Sequence, residues 1–132
     1  MNKELKIEAV MHPFPHTVGA DQSLQIARDL MSEHEVRHLP VQKAGKLIGV
    51  ISDRDINFAL AVDKTEAEDE HVEDAFTEEP YVVEPTEPVY RVARRMAADH
   101  IGCALVAKGE SLVGIFTTVD ACRTLADQLS GE

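Results

Sequence analysis

Leu47-Ile48-Gly49-Val50-Ile51-Ser52-Asp53-Arg54-Asp55 and Leu112-Val113-Gly114-Ile115-Phe116-Thr117-Thr118-Val119-Asp120 lie 65 residues apart and read alike. Each runs apolar, apolar, glycine, apolar, apolar, hydroxyl, two variable residues, aspartate. The same offset sets Pro15 on Pro80, Val18 on Val83, Met31 on Met96, Val41 on Val106, and Leu60-Ala61 on Leu125-Ala126. A gapless repeat of this period makes the chain two copies of one small unit. The boundaries read as 7–64 for the first copy, 72–130 for the second, and an acidic linker over 65–71.

Apolar periodicity orders each copy as β-α-β-β-α. In the first, Thr17-Val18 opens a strand, and Asp21 or Ser23 caps a helix that turns Leu24, Ala27, Leu30 and Met31 to one side. Val36 to Val41 is a strand, placed near a sheet edge or a sheet end by Pro40. Ala44-Gly45-Lys46 is a turn and Leu47 to Ile51 a buried strand. Ser52 or Asp53 caps a helix through Val62, with Ile56, Ala59 and Leu60 inward. In the second copy, Tyr81 to Val83, Cys103 to Ala107 and Leu112 to Phe116 are strands. Thr86 to Asp99 is a helix with Pro88 in its first turn. Thr117 or Thr118 caps the last helix, through Leu129. One copy cannot cover both faces of so small a sheet, so the two copies are expected to pack together.

The 132 residues carry a net charge of −11, with 44% hydrophobic and 28% charged residues. Such a composition suits a soluble globular protein. Residues 1–65 are net −1 and residues 66–132 net −10. This balance argues against a nucleic-acid partner, which needs a basic surface, and against an anionic membrane. No apolar run is long enough to span a bilayer, and the first residues lack a signal-peptide pattern. Cys103 and Cys122 make neither a disulfide framework nor a CxxC site. They read as reduced core thiols in a cytoplasmic chain. The acidic stretch Thr65 to Asp74 reads as an extended, self-repelling, solvated linker, with an acidic docking surface as the alternative.

The repeated motif invites chemistry. Gly49 and Gly114 allow a backbone or ligand to come close. Ser52 and Thr117 stand where a strand enters a helix, a place suited to an anion such as phosphate. Asp55 and Asp120 follow three residues later, where a carboxylate can accept two hydrogen bonds from a vicinal diol. Phosphate beside diol describes a nucleotide. The alternative is purely structural: Ser52 and Thr117 as helix caps, Asp55 and Asp120 as favourable charges at helix N-termini.

On these residues, together with Val36-Arg37-His38-Leu39-Pro40-Val41 and the openings Val10-Met11 and Ala75-Phe76, the sequence resembles a tandem pair of cystathionine-beta-synthase (CBS) domains, a free-standing Bateman module. The likeness covers about residues 7–129. It implies an α+β fold of two β-α-β-β-α repeats packed as a pseudo-twofold pair. It implies a regulatory sensor of AMP, ADP, ATP or S-adenosylmethionine, with no required cofactor, paired as a homodimer through helices. Two clefts follow from the resemblance. Cleft A takes Thr117 and Asp120 from one copy and Thr17, Val18, Val36, Arg37, His38 and Pro40 from the other. Cleft B takes Ser52, Arg54 and Asp55 with Val82, Val83, Ile101, Gly102 and Cys103. Arg37 and His38 can pair with phosphates, whereas their counterparts Gly102 and Cys103 cannot. Cleft A is therefore expected to hold a phosphorylated ligand more tightly.

The remaining candidates read as structural. His12 and His16 flank two prolines that prevent a helix, with no further ligand for a metal, so 12–16 is an entry loop. His34 and His100 read as exposed helix ends. Arg91, Arg94 and Arg95 are expected to pair with the acidic surface around them. No catalytic constellation is legible, so the chain is not expected to be an enzyme. The rival to the sensor is a ligand-free scaffold whose acidic half docks a basic partner protein, with strong salt dependence.

Overall fold

A computed structural model of the chain describes residues 2–131. It divides into two compact units that do not coincide with the sequence repeats. One holds His16–Pro80; the other joins the residues up to Pro15 with those from Tyr81 onward. Each is a mixed α+β body, and the two are built to one plan.

In the first unit the sheet order is β2 (Val18–Gly19), β3 (His38–Lys43), β4 (Lys46–Ser52), β5 (Thr77–Glu78), with helices α1 (Leu24–His34) and α2 (Asp53–Asp63). In the second it is β6 (Val82–Val83), β7 (Cys103–Lys108), β8 (Ser111–Thr117), β1 (His12–Pro13), with α3 (Val89–Asp99) and α4 (Thr118–Ser130). β2 and β6 run parallel to their neighbours; the other pairings are antiparallel. The fourth strand of each sheet comes from the segment that opens the other repeat. β1 pairs with β8, and β5 with β4. These two-residue strands carry too little pattern to be read from sequence.

The cores explain the elements. Val18, Leu24, Leu39, Val41, Ile51, Ile56 and Val72 form one; Ile7, Val83, Val92, Met96, Val106 and Phe116 form the other. Ser23 caps α1 through a bond from the Ile26 amide (3.2 Å). Glu35, Lys64 and His100 close α1, α2 and α3 in the left-handed conformation.

Several expectations change. Pro40 lies in β3, an interior strand of its sheet. Its counterpart Leu105 donates its amide to the Tyr81 carbonyl (2.8 Å), on the β6 side. Proline lacks that donor, and β2 is too short to need it there, since its pairing starts at Val18↔Val41. α3 starts at Val89, and Pro88 is its N-cap with ψ 136, outside the helix.

The acidic stretch is not an extended solvated linker. Ala67–Asp69 and Val72–Asp74 form 3-10 turns, and Ala67 and Val72 enter the core. Backbone bonds tie it to the start of α1: the Leu24 amide to the Glu70 carbonyl, the Val72 amide to Gln22, and the Glu73 amide to Ala20. Burying Val72 contributes about 1.5 kcal/mol towards holding this charged segment to the core. His12-Pro13 is strand β1 rather than loop. His34 is half-buried and stacks on His16 with ring centroids 3.5 Å apart. Cys103 is buried, but Cys122 is exposed on α4 rather than in a core.

Candidate ligand-binding site

The repeated motif ends β4 and β8 and starts α2 and α4. In both places it folds as a capping box. The Ser52 hydroxyl accepts the Asp55 amide (3.0 Å), and Asp55 Oδ2 accepts the Ser52 amide (2.9 Å). The Thr117 hydroxyl accepts the Asp120 amide (3.3 Å), and Asp120 Oδ2 accepts both the Thr117 amide (2.9 Å) and its hydroxyl (3.1 Å). The structural reading of these four residues is therefore real, and any ligand must use what the box leaves over.

The boxes leave different things. Asp120 is buried, and its Oδ1 accepts Nη1 of Arg123 (2.8 Å). Asp55 lends Oδ2 to the Thr77 hydroxyl as well (3.3 Å), and its Oδ1 has no partner among the described residues. The counterpart of Arg123 is Phe58, exposed on α2. Arg123 is a positioning group that the sequence reading missed, although an arginine three residues after an aspartate on a helix is the signal for it. Thr77 carried no such signal, because only the β4–β5 pairing brings it close.

The first-turn amides are also partly committed. The Asp53 amide donates to the Arg37 carbonyl (3.1 Å), and the equivalent Thr118 amide to Gly102 (3.2 Å). With the amides of Asp55 and Asp120 capped, those of Arg54 and Val119 remain as first-turn donors without a partner among the described residues. An oxyanion there would meet one N–H and the positive end of the helix rather than a full set.

Gly49 and Gly114 are filled by the chain itself. A Cβ on Gly49 would fall 2.5 Å from Phe76 Cδ2 and against the Thr77 carbonyl. One on Gly114 would fall 2.9 Å from Met11 Cγ. The glycines admit the opening segments of the exchanged strands, not a ligand.

Within the His16–Pro80 unit, β3 and β4 bring Arg37 and His38 beside Ser52, Asp53, Arg54 and Asp55, with His38 paired to Ser52 in register. Arg37 is exposed and makes a loose ion pair with Asp53 (3.5 Å). Burial lowers the His38 pKa from its ordinary 6.5, against the opposing pull of Asp53 and Asp55. At neutral pH the ring is thus uncharged and offers an N–H, not a cation. Thr17 is half-buried, with its hydroxyl 3.4 Å from Gln42 Oε1, and Val18 and Pro40 are buried. Val36 is half-buried and packs on the core.

In the other unit, Cys103 pairs with Thr117, so Gly102 and Cys103 lie beside the Thr117–Asp120 box. Val83 and Cys103 are buried, Ile101 packs on the core, and Val82 is 45% exposed. Of the apolar residues named for the clefts, Val82 is the most available. Among the described residues Arg91 and Arg94 find no acid, contrary to expectation, and their guanidinium groups stand 5.9 and 5.4 Å from the Tyr90 ring centroid. Only Arg95 makes an ion pair, with Asp99 (3.1 Å), while it covers the Tyr81 ring. Among the described residues there is no group of three or more metal-ligating side chains. No described helix is long and apolar enough to cross a membrane.

Comparison with known proteins agrees with the fold. The family model of the CBS domain matches twice, over residues 7–62 and 72–127. The L-aspartate semialdehyde sulfurtransferase of Methanocaldococcus jannaschii is 31% identical over 129 residues; the match covers 92% of this chain and 24% of that protein. The chain spans about a quarter of the length of the curated relatives it matches. Among solved structures, the CBS domain pair of protein MJ0100, in complex with 5-methylthioadenosine and S-adenosyl-L-methionine, superposes with a TM-score of 0.85 at 28% identity, covering 94% of this chain and 98% of that one. CBSX2 in complex with AMP gives 0.76 at 27% identity, covering 95% and 98%.

Proposed function

The chain belongs to the CBS-domain family, whose domain it carries twice, and we propose that it is a regulatory module that binds an adenosyl ligand. The observation that carries this is the twice-built hydroxyl-x-x-Asp box, with a carboxylate at the start of α2 and another at the start of α4. The adenosyl ligands held by the CBS pair of protein MJ0100 and by CBSX2 support the ligand class. AMP, ADP, ATP and S-adenosylmethionine are the candidates. The role is regulatory rather than catalytic.

In this reading each cleft draws its hydroxyl–aspartate pair from one repeat and its strand residues from the other. Cleft A uses Thr117 and Asp120 with Thr17, Val18, Val36, Arg37, His38 and Pro40. Cleft B uses Ser52, Arg54 and Asp55 with Val82, Val83, Ile101, Gly102 and Cys103. Cleft A is the better phosphate site because Arg37 is exposed and can turn from Asp53 to an anion. The family resemblance adds a homodimer, and the module's output is a shift of state limited by the ligand's differential affinity.

Titration calorimetry with the four ligands tests the reading. Saturable heat with at least one of them is expected. Absence of heat and of any thermal shift with all four at millimolar concentration would remove the sensor function.

A further inference from the structure

Most charged side chains make no ion pair among the described residues, and two clustered sets of them are also held in place by their surroundings. On α3, Arg91 and Arg94 are exposed and, among the described residues, face no carboxylate within 4.0 Å. Arg94 has arginine or alanine three and four residues to either side, apart from Tyr90, so its own helix offers it no acid. Both guanidinium groups are held over Tyr90 at 5.9 and 5.4 Å, which limits the freedom they would lose on binding. In the other unit, Glu66, Glu68 and Asp69 are exposed around a 3-10 turn and, among the described residues, face no cation. That turn is pinned by the buried Ala67 and by the bond from the Leu24 amide to the Glu70 carbonyl, so its carboxylates are also presented on a fixed frame.

A basic helix face in a chain of net −11 is a poor lure for nucleic acid, whose phosphates the rest of the surface repels. It suits a short acidic segment met at close range, and this chain displays one. We infer that the Arg91–Arg94 face of α3 docks the Glu66–Asp69 turn of a second copy of this chain. Each copy carries one face of each kind, and a two-fold dimer would make the contact twice. Exposed apolar side chains such as Phe58 and Val62 on α2 offer no comparable indication of what covers them. The inference rests on the homodimer reading and adds the surface to it.

Charge reversal separates local pairing from overall repulsion. Glu66→Lys/Glu68→Lys brings the net charge from −11 to −7, so repulsion between copies falls and nonspecific association would tighten. Local pairing demands the opposite. Sedimentation equilibrium on the full chain is expected to show dimer affinity weakened on the order of tenfold by this variant. Arg91→Glu/Arg94→Glu, at −15, should weaken it similarly. The quadruple variant, back at −11, should return to within a few-fold of the parent. Far-ultraviolet circular dichroism on each variant checks that it folds, and mixing the two double variants supplies a second route to the restored pair. Tighter association of Glu66→Lys/Glu68→Lys, or a quadruple variant no better than the doubles, would overturn the surface while leaving a dimer in place. A parent chain that stays monomeric at all concentrations would overturn the homodimer as well.

Discussion

Replacing Gly49 by alanine puts a methyl carbon 2.5 and 2.7 Å from two ring carbons of Phe76, and against the Thr77 carbonyl. Carbon atoms rest at about 3.5–4.0 Å, so ring and backbone must retreat by roughly an ångström. The backbone concerned is β5, held by only two register pairs, Gly49↔Glu78 and Val50↔Thr77. Loss of that pairing forfeits about 1 kcal/mol per hydrogen bond, and displacing Phe76 adds an overpacking cost. The expected destabilisation is about 2–4 kcal/mol. At Gly114 the obstruction is different. The nearest atoms are Met11 Sδ, Cγ at 2.9 Å and Cε at 3.1 Å, all on a flexible side chain. A change of methionine rotamer answers it for about 1 kcal/mol.

Urea unfolding of both variants, compared at constant slope, measures the difference. Met11→Ala in the Gly114→Ala background should show a favourable coupling of about 1 kcal/mol, because the methyl refills part of the space. Met11→Ala with Gly49→Ala should be additive. Gly49→Ala should also disturb ligand binding, since Thr77 bonds Asp55 from the displaced strand. Equal losses at the two glycines, or coupling of Met11 to Gly49, would refute the view that each glycine exists to admit its own exchanged segment.

Thr117→Ala, which removes a helix cap, should cost about 1–2 kcal/mol, whereas Arg123→Ala should cost less than about 1 kcal/mol because the arginine is exposed; the reverse order in thermal melts would mean that the ion pair, not the hydroxyl, holds Asp120. The lowered pKa of His38 means that its contribution to stability is complete above pH 6.5 and is lost as pH falls below that value, so His38→Gln should flatten the decline in urea midpoint on the acid side of pH 6.5. Glu70 has the opposite sign: the neighbouring Asp63 carboxyl, then burial, raises its pKa above 4.5, so stability falls as pH rises through the folded value. Glu70→Gln should therefore raise the urea midpoint at pH 7 and leave it little changed near pH 4.

The parts of this fold that were legible in sequence are those with a period. The 65-residue offset, the four helices and the four longer strands follow from apolar spacing and from Ser52 and Thr117 as caps. What escaped was carried by two or three residues at a time. β1 and β5 have no pattern of their own, and their pairing exchanges the opening segments between units that the repeat would keep apart. Pro40 misled because proline usually marks an edge, whereas here the neighbouring strand ends before it reaches the missing amide. The acidic stretch misled because six carboxylates outweighed two small apolar residues, Ala67 and Val72, that nonetheless hold it to the core. At the candidate site, the hydroxyls and aspartates were legible because they recur, but how each aspartate is occupied was not. Arg123 and Phe58 sit at equivalent positions with opposite chemistry, and repetition hides such a divergence.

That divergence bears on what each box can recognise. A ribose diol needs a carboxylate oxygen ready to accept. Asp55 offers Oδ1 without a competing protein donor among the described residues, while Asp120 must first loosen a 2.8 Å charge-assisted bond from Arg123. A phosphate has the reverse preference, because the arginine released from Asp120 is itself a partner for it, and the cleft proposed around Asp120 also includes Arg37. Adenosine and AMP share the diol and differ in the phosphate. Adenosine binding should therefore be lost chiefly in Asp55→Ala, and AMP binding chiefly in Arg123→Ala, each by tenfold or more for about 1.4 kcal/mol of lost contact. Calorimetry with the two ligands on the two variants reads all four combinations. If both ligands lose affinity in the same variant, recognition does not divide along the line that Arg123 draws, and the two boxes differ in stability alone.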